Sequence, residues 1–346
     1  MFFLKRFLLL VLTGLMLCAA IGINAEPVNR KNSGQDLTTS QKGQKKMKQS
    51  IKILAIGNSF SISAGRLMPS FALADGNGIK FTSACIGGCS LERHCQELEK
   101  SEADPNSRPY DYTIWHIANG RVRLEWVSEK RGGTLIDMLK DDVYDVITIQ
   151  QASHFSWKPE TYQPFADTLI ARLRAEQPQA KILVQQTWSY RCQDGRLQPG
   201  SEWGIDQTEM YNRLDAAYRK LADQYGFQRI PTGTAVQIAR AKFPIKYQVV
   251  SKEELATYRW PDLPSQAGDV VGAMHWGKDP EGKRVIGMDN IHLNTRGEYL
   301  QAAVWYGAIY GVDPRTVDCK HPVIDDEDAA FLRECAYEAL KAEGYF

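Results

Sequence analysis

The chain has 346 residues, with 42 Lys and Arg against 41 Asp and Glu and a formal net charge of +1. This balance gives no reason to expect nucleic acid or an anionic membrane surface as a partner. Hydrophobic residues make up 43% of the chain. That fraction permits a full core, and the length fits one α/β domain with insertions as well as two average domains.

The N-terminal segment is predicted to be a signal peptide over residues 1–25. Two basic residues precede an apolar run that ends at Leu17, and small residues then lead to Ala25. A membrane anchor needs about 20 apolar residues, and this run is shorter, so no transmembrane span is expected in the mature chain. The protein is predicted to be secreted or periplasmic. Lipid anchoring at Cys18 is disfavoured because Leu17 stands where a small residue is expected. Residues 26–50 are predicted to be a disordered tether, since they offer almost nothing to bury.

The segment Ile51–Ile56 is a short apolar run that predicts a buried strand ending in a turn. Gly57-Asn58-Ser59 then places a hydroxyl at the carboxyl end of this strand, where ligands bind in open α/β sheets. A helix beginning near Ser61 would direct its first N–H groups at an anion held there. The tripeptide alone is also consistent with a simple helix cap.

Strand-like and helix-like segments alternate through the rest of the chain. This alternation predicts a parallel sheet with crossover helices in one domain over residues 51–346. The further strands are expected at Ile79–Cys85, Val143–Ile149, Lys181–Thr187 and Phe227–Ile230, and the clearest helices at Tyr162–Glu176, Gln207–Tyr225 and Thr234–Ala241.

Two insertions interrupt the alternation, near residues 110–128 and 258–288. Asn119-Gly120 in the first is a strong hairpin signal, and both insertions are expected at the rim of the site. Aromatic faces at this rim could stack on sugar rings, with ordinary loop packing as the alternative. The aromatic residues predicted to bind substrate are Trp115, Trp188 and Trp276.

Near the other end of the chain, Asp289 and His292 stand three residues apart, just before a predicted helix from Leu293 to about Tyr310. One loop turn can bring both side chains to the same side, so that the carboxylate orients the imidazole and the imidazole faces a hydroxyl. Paired with Ser59, they form the set that a serine hydrolase requires.

These segments resemble the SGNH (GDSL-like) hydrolases. Gly57-Asn58-Ser59 resembles their first block, Gly87-Gly88 stands where their second block is expected, and Asp289-x-x-His292 resembles their last. The likeness covers about 51–310 and is greatest to an uncharacterised secreted subfamily with Gly-Asn-Ser-Phe-Ser in its first block. The resemblance implies an α/β fold, a three-layer α/β/α sandwich with a parallel, flavodoxin-like sheet of about five strands, and ester hydrolysis without a metal or organic cofactor.

Two positions depart from the family pattern. The first block usually has Asp where this chain has Asn58, which we predict to contact substrate. The third block, normally Gly-x-Asn-Asp, is replaced by Gln150-Gln151-Ala-Ser. By analogy with related esterases, Gln150 is predicted to donate to the oxyanion, with Gln151 as the alternative. The backbone N–H groups of Ser59 and Gly88 would complete the hole, and Gly87 competes with Gly88.

Apart from Cys18 there are six cysteines, an even number that permits disulfides in an exported protein. The favoured pair is Cys319 with Cys335, which flank the start of a C-terminal helix. Metal binding is the rival explanation for the cluster of Cys85, Cys89, His94 and Cys95, but its spacing lacks a clear second pair of ligands.

The sequence therefore predicts a secreted serine esterase that hydrolyses acyl esters, above all acetyl esters, most readily on carbohydrate. Two other functions stay open. One is a carbohydrate-binding protein on a degenerate hydrolase scaffold, in which the change at Gln150 has abolished activity. The other is an acyltransferase, which exclusion of water from the site would favour.

Overall fold

The computed structural model describes residues 48–127 and 132–346. The predictions of a signal peptide, of lipid anchoring at Cys18 and of nearly all of the tether concern residues 1–47 and lie outside this range. No helix in the described ranges is both long and apolar enough to cross a membrane.

Nine strands and nine α-helices follow one another in the described residues. The strands are β1 (Ser50–Gly57), β2 (Gly78–Cys85), β3 (Asp111–Ala118), β4 (Arg121–Trp126), β5 (Val146–Ile149), β6 (Lys181–Gln185), β7 (Gln228–Ile230), β8 (Val271–Lys278) and β9 (Arg284–Leu293). The helices are α1 (Ser59–Ala74), α2 (Leu91–Ala103), α3 (Leu135–Asp141), α4 (Phe165–Glu176), α5 (Gln207–Tyr225), α6 (Thr232–Lys242), α7 (Lys252–Leu255), α8 (Thr295–Tyr310) and α9 (Asp326–Ala342).

The central sheet has seven strands in the order β4-β3-β2-β1-β5-β6-β7. Five neighbouring strands of this sheet, β2-β1-β5-β6-β7, are parallel. They have the flavodoxin-like order, in which ligands bind at the carboxyl ends of the strands. Helices α1, α6, α8 and α9 pack together, as do α2, α3 and α4, and the two groups flank the sheet. The predicted α/β/α sandwich is confirmed, and the apolar run at residues 53–56 of β1 follows from burial on both faces.

The insertion at 110–128 forms the predicted hairpin, but it lengthens the sheet instead of lining the site. Strand β3 pairs antiparallel with β2, so that Cys85 lies opposite Asp111 and the turn lies beyond the amino end of β2. Asn119 and Gly120 both have positive φ, 53° and 69°, as this type of turn requires. The turn of this insertion therefore lies away from the predicted rim of the site.

Trp115 on β3 lies in the core. It is 7% exposed, and its ring meets that of Phe81 edge-on at 5.9 Å. The prediction that it binds substrate is wrong, because the period-two alternation of the strand turns this side chain into the layer beneath α1.

The six cysteines of the described residues are all free, so the predicted pair of Cys319 and Cys335 is absent. Both side chains are buried, and burial raises the pKa of each thiol to about 12. They pack as small apolar groups in the core beside α9.

Candidate active site

The nucleophile candidate Ser59 is the first residue of α1, immediately after the turn that follows β1. Asn58 caps the helix, with its Oδ1 accepting a hydrogen bond from the N–H of Phe60 at 3.0 Å. Ser59 begins a helix just after β1, so its amide lies at the carboxyl edge of the sheet and has no partner within the helix. No hydrogen bond in the described ranges uses this amide.

Ser59, His292 and Asp289 form a continuous hydrogen-bonded chain. Ser59 Oγ lies 2.8 Å from His292 Nε2, and His292 Nδ1 lies 2.7 Å from Asp289 Oδ2. A carboxylate only accepts, so Nδ1 carries the proton and Nε2 is left to accept from the serine hydroxyl. The structure thus brings together the three residues that the sequence predicted to act together, although Ser59 and His292 lie 233 positions apart in the chain.

The acid and base lie on a strand irregularity and not on the loop turn that the sequence suggested. Val271 of β8 pairs with Leu293 of β9, and Ala273 pairs with Asp289, so that Gly272 alone faces three residues of β9. We call this irregularity the β9 bulge, residues 290–292. Gly272 has φ +86°, and a Cβ atom there would lie 2.7 Å from the carbonyl oxygen of Asp289, so the bulge requires glycine on the facing strand.

The Asp289 carboxylate is fixed by three hydrogen bonds. Besides His292 Nδ1, its Oδ1 accepts from the backbone N–H groups of Ile291 at 2.9 Å and His292 at 3.0 Å. Burial raises the pKa of this carboxyl group, but the hydrogen bonds from His292 and Ile291 outweigh burial and lower the pKa to about 2. Asp289 is therefore ionised at neutral pH and stabilises a positive charge on the imidazole.

The loop after β2 brings two further backbone amides to the same edge. Gly87 and Gly88 are exposed, and their N–H groups have no hydrogen-bond partner among the described residues. The loop is tied to α1 because Asn58 Nδ2 donates to the carbonyl oxygen of Cys89 at 3.0 Å. Either glycine amide is free to donate to an oxyanion, so the choice between them stays open.

Asn58 does not contact solvent, and the prediction that it binds substrate is wrong. It is 2% exposed, and both its polar atoms are used inside the protein. Its Nδ2 holds the Cys89 carbonyl, and its Oδ1 accepts from Phe60 and from Gln150 Nε2 at 2.8 Å. Asn58 thus joins α1, the loop after β2 and the end of β5.

The two glutamines after β5 differ in how their amides are engaged. Gln150 Nε2 donates one hydrogen bond, to Asn58, which leaves its second N–H available. Gln151 Oε1 accepts from the N–H groups of Leu91 and Ala152, and its Nε2 donates to Thr161. Gln151 therefore holds the start of α2 and the following loop together, and it is the weaker candidate for an oxyanion donor.

Of the two remaining predicted aromatic residues, Trp188 offers no sugar-binding face, and the substrate-binding role of Trp276 stays a prediction. Trp188 is 1% exposed, stacks on Phe60 with ring centroids 4.0 Å apart, and donates from Nε1 to the carbonyl oxygen of Ile291 at 2.9 Å. The prediction that Trp188 contacts substrate is wrong, since both its face and its N–H are used internally. Trp276 lies on β8, three residues beyond the partner of Asp289, with its Nε1 bonded to Asp262.

Two further residues lie at this edge. Trp203 is partly exposed, and its ring centroid lies 5.8 Å from that of Tyr190, whose hydroxyl group is bonded to Ser153 just beyond the end of β5. Arg191 is fully buried and contacts both strands of the hairpin β8–β9. Arg191 lies in no recognisable motif, so no sequence signal indicated it.

The cysteine and histidine cluster does not form a ligand set. Across the two described ranges, no three His, Cys, Asp or Glu side chains are placed to hold a metal ion. His94 Nδ1 instead lies 2.9 Å from the hydroxyl oxygen of Tyr110, and the two rings are stacked.

The fold and these contacts define an α/β protein with a Ser–His–Asp chain at the carboxyl edge of its parallel sheet. Residues 52–250 match the family described as "Domain of unknown function (DUF4886)", which is more than half of the chain. The protein belongs to this family. Among curated proteins, a comparison finds no match.

Similar solved structures include a DUF4886 family protein from Bacteroides uniformis, which is 25% identical, with a TM-score of 0.64 over 84% of this chain and 95% of that one. A candidate SGNH hydrolase from Slackia heliotrinireducens is 18% identical, with a TM-score of 0.43 over 74% and 97%. A candidate GDSL-like lipase from Parabacteroides merdae is 13% identical, with a TM-score of 0.40 over 76% and 97%.

Proposed function

We propose that this protein is a serine esterase of the SGNH type, with Ser59 as nucleophile, His292 as general base and Asp289 as the group that orients the imidazole. The observation that carries the proposal is the hydrogen-bonded chain from Ser59 Oγ to His292 Nε2 at 2.8 Å and from His292 Nδ1 to Asp289 Oδ2 at 2.7 Å. A strand-end serine with an unprotonated imidazole nitrogen in contact is the arrangement used for acyl transfer.

In this mechanism the Ser59 hydroxyl gives its proton to His292 Nε2 as its oxygen attacks the ester carbonyl. The tetrahedral intermediate collapses when His292 returns the proton to the leaving alkoxide, which leaves an acyl group on Ser59. Water then attacks the acyl-enzyme, again with His292 taking the proton, and His292 returns this proton to Ser59 Oγ as the carboxylic acid is released. Asp289 stays ionised throughout, in keeping with its low pKa of about 2.

The oxyanion would be bound by the N–H groups of Ser59 and of Gly88, or of Gly87 in its place, and by the free N–H of Gln150 Nε2. This assignment is supported by the two backbone amides that no described residue uses and by the contact of Gln150 with Asn58, which holds the amide at the end of β5. Donors fixed before the charge develops lower the barrier most effectively.

The substrate class that we propose is a short acyl ester, above all an acetyl ester, carried on a carbohydrate. The partly exposed ring of Trp203 beside Tyr190 is the aromatic surface that supports a sugar substrate. The His292 and Asp289 side chains are 36% and 33% exposed, so water reaches the site. That access favours hydrolysis over acyl transfer to a second sugar. We also propose that residues 1–25 direct export.

Hydrolysis of p-nitrophenyl acetate by the wild type and by Ser59→Ala tests the mechanism. We expect the variant to fold normally and to lose several orders of magnitude in turnover, as removal of a triad nucleophile does. Most of the activity surviving in folded Ser59→Ala would exclude this nucleophile. Acetate released from a panel of acetylated polysaccharides, against the deacetylated polymers, tests the substrate class separately.

A further inference from the structure

Arg191 is a buried cation without a carboxylate partner in the described part of the chain. Its side chain has no exposed surface. Instead, Nε donates to the carbonyl oxygen of Val271 and Nη2 to that of Gly272, both at 2.8 Å. The guanidinium group also lies over the ring of Tyr247, 4.3 Å from its centroid. Burial of a guanidinium group is costly unless its N–H groups are paired, so these two carbonyl groups stabilise the cation inside the protein.

The two carbonyl oxygens belong to the segment of β8 that faces the β9 bulge. Gly272 is the residue that stands opposite 290–292, and a Cβ atom on it would touch both Arg191 Nε and the Asp289 carbonyl oxygen, each at 2.7 Å. The guanidinium fork therefore sets the position of β8 directly behind the acid. A planar fork can hold two successive carbonyls at fixed separation, which an ammonium group cannot do.

The same residue also holds the other strand. The backbone N–H of Arg191 donates to the carbonyl oxygen of Asn290 at 2.8 Å, and three positions earlier Trp188 Nε1 donates to that of Ile291. Two successive carbonyls of the β9 bulge are thus bonded to the loop after β6. His292 is the next residue after this pair, and its ring also meets Phe60 edge-on at 5.6 Å.

From these contacts we propose that Arg191 is a positioning residue for the acid and base of the reaction, acting through the β8–β9 hairpin and not on the substrate. The inference rests on the proposed function. The side-chain fork of Arg191 holds β8, its backbone and Trp188 hold β9, and the bulge between them presents Asp289 and His292 to Ser59. Loss of the fork displaces the imidazole and leaves the substrate-binding surface unchanged.

The chain offers a matched control in Arg229 on β7. This arginine is also buried, at 1% exposure, but it pairs with Asp215 and Glu343, on α5 and just after α9. Arg191→Met and Arg229→Met therefore remove the same group from two buried sites. Both substitutions are expected to lower Tm, but only the first lies behind the β9 bulge.

The experiment measures kcat and KM for p-nitrophenyl acetate on folded protein, together with the downfield proton NMR resonance of the His292 Nδ1–H group. For Arg191→Met we expect kcat to fall about a hundredfold, as a misplacement of about 1 Å in a catalytic group causes, with KM within about twofold and a shifted or broadened resonance. Arg229→Met should keep the wild-type kcat and resonance. Arg191→Lys should be intermediate, since it keeps the charge without the fork.

Wild-type kcat and resonance in folded Arg191→Met would overturn the proposal, and so would an equal loss of kcat in Arg229→Met. If Arg191→Met does not fold, Trp188→Phe decides, because it removes the N–H bonded to Ile291 and keeps an aromatic ring, although a smaller one, next to Phe60. An unchanged kcat and resonance there would refute positioning by this loop. If the wild type shows no Ser59-dependent hydrolysis, the proposed function fails, and the NMR comparison still tests whether Arg191 fixes the contact between His292 and Asp289.

Discussion

Replacing Gln150 and Gln151, one at a time, with methionine separates catalysis from stability at two adjacent residues. Methionine is close to glutamine in volume and has no amide, so each change removes hydrogen bonds with little change in packing. Gln150→Met removes the proposed oxyanion donor. Gln151→Met removes the hydrogen bonds to Leu91, Ala152 and Thr161, all of which are structural.

The magnitudes follow from these hydrogen bonds. Loss of one oxyanion donor costs about a hundredfold in kcat or more, or roughly 3 kcal/mol in the transition state, and KM stays nearly constant because the bond strengthens only as charge develops. The unfolding free energy of Gln150→Met should fall by only about 1 kcal/mol, since Asn58 Oδ1 still accepts from Phe60. Gln151→Met leaves two buried N–H groups without a partner, at about 1–3 kcal/mol each.

The assay pairs steady-state kinetics with urea unfolding for both variants. We expect Gln150→Met to be slow and nearly as stable as the wild type, and Gln151→Met to be less stable with a kcat within a few-fold of normal when folded. The opposite pattern would refute the assignment of the oxyanion donor to Gln150. Normal kinetics in both variants would mean that the backbone amides alone form the hole.

Two other predictions concern the acid and a buried histidine. Asp289→Asn should lose less activity at saturating substrate than His292→Ala, because misorienting a base is milder than removing it; wild-type rates in both variants would exclude the pair from the mechanism. Burial lowers the pKa of His94 from its ordinary 6.5 to about 3, so below pH 6.5 the unfolded state binds a proton that the folded state does not, and stability falls as the pH drops from 6.5 towards 3. Between pH 6.5 and 4.5 the wild type should lose about 2 to 3 kcal/mol of unfolding free energy through this histidine. Urea unfolding should therefore show a flatter dependence of stability on pH in His94→Gln than in the wild type. Parallel profiles for the two proteins would contradict this prediction.

Local patterns were sufficient to predict the parallel part of the fold. Strands β1, β5 and β6 each centre on a short, mostly apolar run. Helix α5 begins at Gln207 and ends at Tyr225 as predicted, because a capping Asp206 and a following Gly226 mark its ends. The attachment of the hairpin β3–β4 to the edge of the sheet depends on its pairing with β2. That pairing is a tertiary contact, which no local pattern specifies.

The residues of the site also differ in whether the sequence could predict them. Ser59, Asp289 and His292 could be predicted because their spacing implies a role. The roles of Trp188 and Arg191 could not, because they depend on which backbone carbonyls stand opposite them in the fold. Trp188 illustrates the difference: its position after β6 was inferred correctly as close to the site, yet its ring faces Phe60 and not the solvent.

The two departures from the SGNH pattern are in direct contact with each other. Asn58 replaces the usual Asp, and Gln150 stands near the place of the usual Asn; Gln150 Nε2 donates to Asn58 Oδ1 at 2.8 Å. An ionised Asp at 58 could accept this bond but could not donate to the Cys89 carbonyl, as Asn58 Nδ2 does. The amide at 58 thus binds the loop of Gly87 and Gly88 on one side and the longer Gln150 side chain on the other. A change at either residue therefore removes this bond, and the two residues are best understood as one hydrogen-bonded unit that holds the proposed oxyanion donors.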